Sequence, residues 1–530
     1  ILMASRNNLK SKVVIQSSAF RRQVMARAKK ARTADEQEPV NPTGPPPLVG
    51  GTGIGGGTGP ETTGQFMVIF KPGVTVAAAR NALAQLAGLR DIAKTSDFEL
   101  AAFTSDVLEN AETIHFEASG MARISGDAVQ SLATSLADDA DSPILAIEPE
   151  LYCYPSSFGA PGFTPGMSGP QFGQPVPTPS PALSPSGSSS QAEYLRGYQD
   201  AVNHLAERLS RSDGAAGSDA TVSATSFSDN AQSTWGLQAT GVLTSPFSGQ
   251  GVRVAVLDTG LDLNHIDFAG RAIVTQSFSG FPVQDVFGHG THCIGTACGP
   301  RQPASGVRRY GIAHGATIFA GRVFDNTPRP LGPRASTDAI VAGIEWARAN
   351  GCQVVSLSLG APVSQQFLQY HIPILLALQN GCLVIAAAGN NANRGPNFSG
   401  FNPQRPITNG FVEPPANADA AVAVAAVDNQ LRITAFSARS TNVGIGGLGG
   451  IVNISGPGFD VFSSIPGGHG FSNGTSMATP HVAGIAALWC QATGDTGAAL
   501  WNRLVQNVVP LNIPSMDCGA GLARAPQSQS

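Results

Sequence analysis

In the second half of the chain the apolar positions do not alternate with polar ones; they come in short unbroken runs. These are VRVAVLD (252–258), ATIFAGRVF (316–324), CQVVSLSLG (352–360), CLVIAAAGN (382–390) and AVAVAAVD (421–428). A strand that is apolar on both sides has to be covered on both sides. Helix-like segments such as STDAIVAGIEWARANG separate several of the runs. Together they predict an α/β fold with a mostly parallel central sheet between helical layers. Ligand sites in such sheets lie beyond the carboxyl ends of the strands, which draws attention to the residues closing three of the runs, Asp258, Gly360 and Asn390.

Nearer the N-terminus the texture changes. FMVIFKPG, TIHFE, MARIS and ILAIEPELY (144–152) read as strands, and VAAARNALAQLAG (76–88) and DAVQSLATSLADD (127–139) as helices. The order is β-α-β-β-α-β, a small α+β ferredoxin-like unit over residues 65–153. Residues 1–64, ending in TGPPPLVGGTGIGGGTGP, are expected to be a disordered lead, and 154–192, rich in Pro, Ser and Gly, a linker. An amphipathic helix at YLRGYQDAVNHLAERLS (194–210) opens a connecting segment, 193–234, and the α/β domain is expected over 235–526.

Composition narrows the partners. Charged residues make up 13 % of the chain and the formal net charge is −4, so nothing draws it to nucleic acid or an anionic membrane. No apolar run approaches the roughly 18 residues of a membrane span. The first thirty residues are basic but lack the apolar stretch of a secretory signal. Seven cysteines, an odd count, leave at least one unpaired.

Three polar residues stand out against this background. Asp258 closes a buried strand, His289 lies in GHGTHCIGTACG, and Ser476 starts the apolar helix of NGTSMATPHVAGIAALW. A serine hydroxyl is a poor nucleophile unless an imidazole takes its proton and a carboxylate holds that imidazole's tautomer. A helix start adds free N–H groups for an anionic oxygen, and Asn390 offers a side-chain donor. Metal binding is the competing use of His289, because His292 and Cys293 follow on one helix face. The other histidines are scattered singly and no HEXXH is present, so no metal site is predicted.

In that order VAVLDTG, GHGTHC and NGTSMATPHVAG resemble the three signatures of the subtilisin-like serine peptidases, and the cysteine in GHGTHC is closest to the proteinase K branch. AAAGN and VVSLSLG resemble the family's oxyanion asparagine and substrate-binding strand. The resemblance implies a subtilisin-like three-layer fold in which Asp258 is the orienting acid, His289 the general base and then acid, Ser476 the nucleophile and Asn390 the oxyanion donor. It further implies that Ser358, Leu359 and Gly360 pair with an extended substrate. Gly360 with Ala387, Ala388 and Gly389 would line an open apolar pocket favouring large nonpolar residues before the cut. His292 is then scaffold, Cys293 a free thiol beneath the site, and His265 and His481 packing residues.

By pattern and position the 65–153 unit resembles the family's inhibitory propeptide. The chain is accordingly expected to be a self-processing zymogen, a monomer that acts on protein or peptide substrates and is inhibited by its own propeptide. The cut is expected after residue 152 but not at Tyr154, since Pro155 follows it. No cofactor is required, and structural calcium has no support where CGPRQPASGVRRYGIAHG carries arginines instead of an acidic loop. Secretion is the expected location, with the cytoplasm as the alternative. Two other functions stay open: a dedicated intracellular processing peptidase for one precursor peptide, and a catalytically inactive binding module, against which the complete triad argues.

Overall fold

The computed structural model describes residues 60–89, 92–95, 105–129, 132, 142–156, 158–159, 226–327, 329, 332–392, 410–441 and 449–528. The helix expected at 194–210 and nearly all of the expected lead and linker lie outside the described residues, as does most of the helix expected at 127–139. Residues 1–160 and 227–530 form one compact unit and 161–226 a second; the description concerns the first.

The N-terminal part contains β1 (Thr62–Phe70), α1 (Val76–Ala87), β2 (Ile92–Lys94), α2 (Ser105–Asn110), β3 (Thr113–Phe116), β4 (Met121–Ser125), β5 (Ile144–Pro155) and β6 (Phe158–Gly159). The larger part begins with α3 (Trp235–Ala239), β7 (Arg253–Asp258), β8 (Ile273–Ser277), α4 (His289–Cys298), β9 (Thr317–Arg322), β10 (Ala335–Ser336) and α5 (Thr337–Ala349). It continues through β11 (Val354–Leu357), β12 (Leu359–Gly360), α6 (Leu368–Gln379), β13 (Leu383–Ala387), β14 (Val422–Val427), β15 (Ile454–Pro457), β16 (Val461–Ile465) and β17 (Gly468–Asn473). Last come α7 (Thr475–Thr493), α8 (Gly497–Gln506), β18 (Val508–Val509), α9 (Ser515–Cys518) and β19 (Leu522–Ala523).

The main sheet has the order β18-β19-β15-β14-β13-β11-β7-β9-β8. Every pairing in it is parallel except β18 with β19. The unbroken apolar runs have a direct cause. Ala255, Leu257, Val355, Leu357 and Ala386 face a core built with α5 and α6, whereas Val254, Val256, Val354 and Ile385 face one built with α4 and α7. The result is the expected three-layer subtilisin-like α/β fold. No helix among the described residues is long and apolar enough to cross a membrane.

The smaller sheet runs β5-β1-β4-β3-β2, the ferredoxin-like order with one short extra strand. It too is covered on both faces, which explains why FMVIF does not alternate. Val68, Phe70, Ala122 and Ile124 pack with Ala79 and Leu83 of α1. Met67, Ile69, Ile114, Phe116 and Met121 share a core with Ile340 and Trp346 of α5 and Tyr370 of α6.

Acidic side chains of β5 complete this contact. The first turns of α5 and α6 have no capping side chain of their own at Ser336 and Phe367. Glu150 accepts from Asp338 N–H at 2.8 Å, and Glu148 accepts from Leu368 and Gln369 N–H at 2.9 Å each. Two residues apart on a strand, both carboxylates point the same way and meet the positive ends of two neighbouring helices. Arg123 of β4 pairs with Asp338 and donates to Leu108 and Ala111 carbonyls at 2.6 Å.

The boundaries differ from expectation at both ends of the small unit. β1 begins at Thr62, inside the expected lead, and β5 runs on to Pro155, inside the expected linker. The reason is pairing: Tyr152 and Cys153 lie against Ser336 and Ala335 of β10, and Tyr154 and Pro155 against Gly360 and Leu359 of β12. Backbone groups that composition leaves to solvent thus find partners on two strands of the larger part.

Replacing Glu148 by alanine leaves two helix-start N–H groups without their acceptor; a loss of about 1 kcal/mol is expected, read as a lower Tm in thermal unfolding.

Candidate active site

Asp258 stands at the carboxyl end of β7 and His289 opens α4. His289 Nδ1 donates to Asp258 Oδ1 at 2.7 Å, and both residues are buried. Asp258 Oδ1 also accepts from Thr259 N–H at 2.7 Å. The two elements come this close because both facing turns carry glycine. A Cβ on Gly290 would stand 2.9 Å from Gly260 N and 3.0 Å from Thr259 N, and Gly260 has φ +103°. Burial, the largest single influence, works against a charge on His289, but the Asp258 carboxylate beside Nδ1 and the nearby Cys293 together outweigh it and lift the imidazole well above its ordinary value.

Ser476 sits in the first turn of α7, fully buried. Pro480, four residues on, has no N–H for the helical bond to the Ser476 carbonyl. That carbonyl accepts instead from Ser358 Oγ at 2.8 Å and Cys293 Sγ at 3.5 Å. In return Ser476 Oγ donates to the Ser358 carbonyl at 2.9 Å. His289 Nε2 has no hydrogen-bond partner among the described residues. The serine hydroxyl therefore faces Ser358, and a rotation about its Cα–Cβ bond is needed to present it to an imidazole.

Asn390 closes the AAAGN run. Its Oδ1 accepts from Thr475 N–H and Oγ1–H, each at 3.0 Å. A backbone N–H can only donate, so the amide orientation is fixed and Nδ2 is left as the free donor end beside the start of α7. Between these groups lies the tail of the small unit. The Ser156 carbonyl accepts from Ser476 N–H at 3.0 Å, and Ser156 N–H donates to the Ser358 carbonyl at 3.2 Å. Beyond it Phe158 and Gly159 pair with Asn473 and Ser472 of β17.

A family model described as the subtilase family matches residues 249–519, just over half of the chain. The chain belongs to the subtilase family. Thermitase from Thermoactinomyces vulgaris is 35 % identical over 243 residues, 45 % of this chain and 75 % of thermitase. Subtilisin NAT from Bacillus subtilis subsp. natto is 33 % identical over 256 residues, 48 % of this chain. The match covers only 58 % of that relative's length. Among solved structures, the S41 psychrophilic protease is 30 % identical, with 56 % of this chain covering 100 % of it at a TM-score of 0.45. As a subtilase the chain is a serine endopeptidase.

The other residues singled out in the sequence fall as follows in this subtilase. Ser358, Leu359 and Gly360 do pair with an extended segment, the chain's own residues 154–156. His292 donates from Nε2 to the Val461 carbonyl at 2.9 Å, and burial pushes it down to about 3, a neutral strut behind His289. His481 donates from Nδ1 to the Met477 carbonyl at 2.8 Å, and burial pushes it to about 4. His265 accepts from Asp267 N–H and donates to the Gly468 carbonyl, so both ring nitrogens are used. Cys293 is buried, unbridged and 4.0 Å from His289 Nδ1; burial pushes its thiol up.

The pocket is not the open apolar one expected. Gly360, Ala387, Ala388 and Gly389 are brought together, but Glu413, fully buried, lies against them: a Cβ on Gly389 would meet its Cδ at 2.8 Å. Sequence reasoning missed Glu413, Ser156 and the β10 strand. A lone Glu in the apolar stretch FVEPPA was a visible signal for the first; the other two are set by pairing between distant segments.

A ring-NMR titration should place the His289 pKa above the ordinary histidine value, with stability from the Asp258 pair present at low pH and lost as pH rises through that pKa. In the Asp258→Asn variant burial is no longer opposed by the carboxylate, and the same titration should move down from the wild-type value.

Proposed function

We propose that Ser476 attacks the carbonyl of the residue before the cut while His289 Nε2 takes its proton. Asp258 holds the Nδ1–H tautomer and stabilises the imidazolium. Ser476 N–H and Asn390 Nδ2 receive the oxyanion; collapse of the tetrahedral intermediate then moves the proton from His289 to the leaving amine, and water later releases the acyl group. No metal is needed for any of these steps.

The chain is a zymogen that cuts itself, and the bond it cuts is the one after Ser156. The single observation behind this reading is the Ser156 carbonyl, already hydrogen-bonded to the backbone N–H of Ser476 at 3.0 Å. The pairing of 152–155 before it and of 158–159 after it lays the segment through the site as an extended substrate. After cleavage the 152–156 strand stays where it is and blocks the groove, so the small unit is an inhibitor as well as a leader. This refines the cut expected somewhere past 152, and it also respects Pro155, which lies on the acyl side. A catalytically inactive module is disfavoured because residues able to act as nucleophile, base, acid and oxyanion donors are all present in the chain.

Release of the inhibitor is expected to depend on pH. Glu148, Glu150 and Glu345 are buried at the contact, and burial raises all three, Glu345 to about 7. Glu345 faces Ser119 Oγ, and Arg123 and Asp338 stand beside Glu150. Once released, these carboxyls return to the ordinary range near 4. Below that range they are neutral in both states; as pH rises through about 7, docking has to bury charge. The docked state is therefore favoured at acid pH and weakened toward alkaline pH.

Wild-type protein should yield two fragments, one ending at Ser156 and one starting at Ser157, by terminal sequencing or mass spectrometry, and Ser476→Ala should stay whole. The same cut in Ser476→Ala would sink the proposal. On size exclusion the two fragments should co-elute at pH 5 and separate progressively toward pH 8, with Glu345→Gln shifting the separation to higher pH.

A further inference from the structure

We propose that Glu413 restricts the residue before the cut to small side chains, serine, alanine or glycine. This deepens the peptidase reading above and rests on it, since it concerns the pocket beside the Ser476 nucleophile.

The pocket walls are the segments 358–360 and 387–389, and residues 411–414 are tied across both. Glu413 N–H donates to the Ala388 carbonyl at 2.9 Å, and the Pro414 carbonyl accepts from Ala361 N–H at 3.0 Å. Between the walls lies the Glu413 side chain. A Cβ on Gly360 would stand 2.5 Å from its Oε2, and one on Gly389 2.8 Å from Cδ and 2.9 Å from Cγ. The carboxyl thus occupies the gap between the two glycine α-carbons, where the side chain of the residue before the cut has to go. Asn391 holds it there: its Nδ2 donates to Glu413 Oε1 at 3.0 Å, and its Oδ1 accepts from Phe411 N–H at 2.8 Å, which fixes the amide orientation.

The residue presented at the site agrees with this. Ser156 is fully buried, and its Oγ makes no hydrogen bond among the described residues. The pocket accommodates the side chain without reading its hydroxyl, so volume selects, and alanine and glycine should serve as well as serine. A phenyl or isobutyl group would have to displace a pinned carboxyl or press apolar surface against it, and either penalises the large residue. Differences of this kind are worth about 10-fold or more in kcat/KM.

The test uses the self-processed enzyme, fluorophosphonate labelling, and peptides that differ only in the residue before the cut. Wild type should turn over Ser, Ala and Gly peptides at least about 10-fold better than Phe or Leu peptides. Glu413→Ala should raise kcat/KM for Phe and Leu about 10-fold or more relative to Ala. Glu413→Gln, which keeps the volume and gives a readout if the alanine variant fails to fold, should keep the small-residue ranking. Wild-type preference for Phe or Leu overturns the proposal. So does a preference for Lys or Arg that vanishes in Glu413→Gln, since charge rather than volume would then be selecting. A protein that fails to label at all overturns the peptidase reading, whereas labelling with the wrong preference overturns only the role of Glu413.

Discussion

The hydrogen bond between Asp258 and His289, 2.7 Å long and closed to water, is the constraint on which the rest of the site depends. A carboxylate taken out of water needs donors, and here the imidazole and Thr259 N–H both meet Oδ1, while Oδ2 has no hydrogen-bond partner among the described residues. For that bond to form, the end of β7 and the first turn of α4 have to touch through backbone, which leaves no room for a side chain at 260 or 290. The small residues along α4 extend the same demand: a Cβ on Gly484 of α7 would stand 2.8 Å from the Ala297 carbonyl. Close packing of α4 on α7 sets the start of α7 against α4, where Cys293 Sγ meets the Ser476 carbonyl at 3.5 Å.

Pro480 belongs to this arrangement. By removing one helical hydrogen bond it frees the Ser476 carbonyl, and Ser358 and Cys293 take it up. The nucleophile is thereby tied to the strand that holds the substrate and to the helix that carries the base. Any displacement of one is felt by the other two, which suits a site whose groups must meet within a few tenths of an ångström. Cys293 is part of that tie, and as a neutral thiol it donates without adding a charge next to His289.

One strand of the small unit joins its contact with the helices to the triad region. Alternation along β5 puts Glu148 and Glu150 on the helix starts of α6 and α5, and the same strand, continued a few residues, pairs with β12 and reaches Ser476 N–H. The contact with the helices and the carbonyl presented at Ser476 are therefore set by a single register: a slip by one residue would turn both carboxylates away from the helices and put another carbonyl at Ser476. Burial raises the carboxyls at that contact above their ordinary range, the direction opposite to that of a carboxylate in an ion pair.

By itself the sequence determined the layers and pointed to Asp258, His289, Ser476 and Asn390 as the candidate site residues. Continuous apolar runs require a sheet covered on both faces, and each chemical group sits in a motif whose neighbours are close in the chain: Asp258 in VLDTG, His289 in GHGTH, Ser476 in GTSMA. Composition misled about Tyr154 and Pro155, because a proline-rich stretch reads as solvated wherever no partner strand is in view. The pocket was misread for a related reason. Gly360 and Gly389 looked like open space, and only the tertiary structure brings Glu413 between them from outside either motif. Local sequence reports propensity and period. Which distant backbone edge satisfies a segment, and which side chain fills the gap two glycines leave, depends on how elements far apart in the chain pack, and that was decided only when the chain folded.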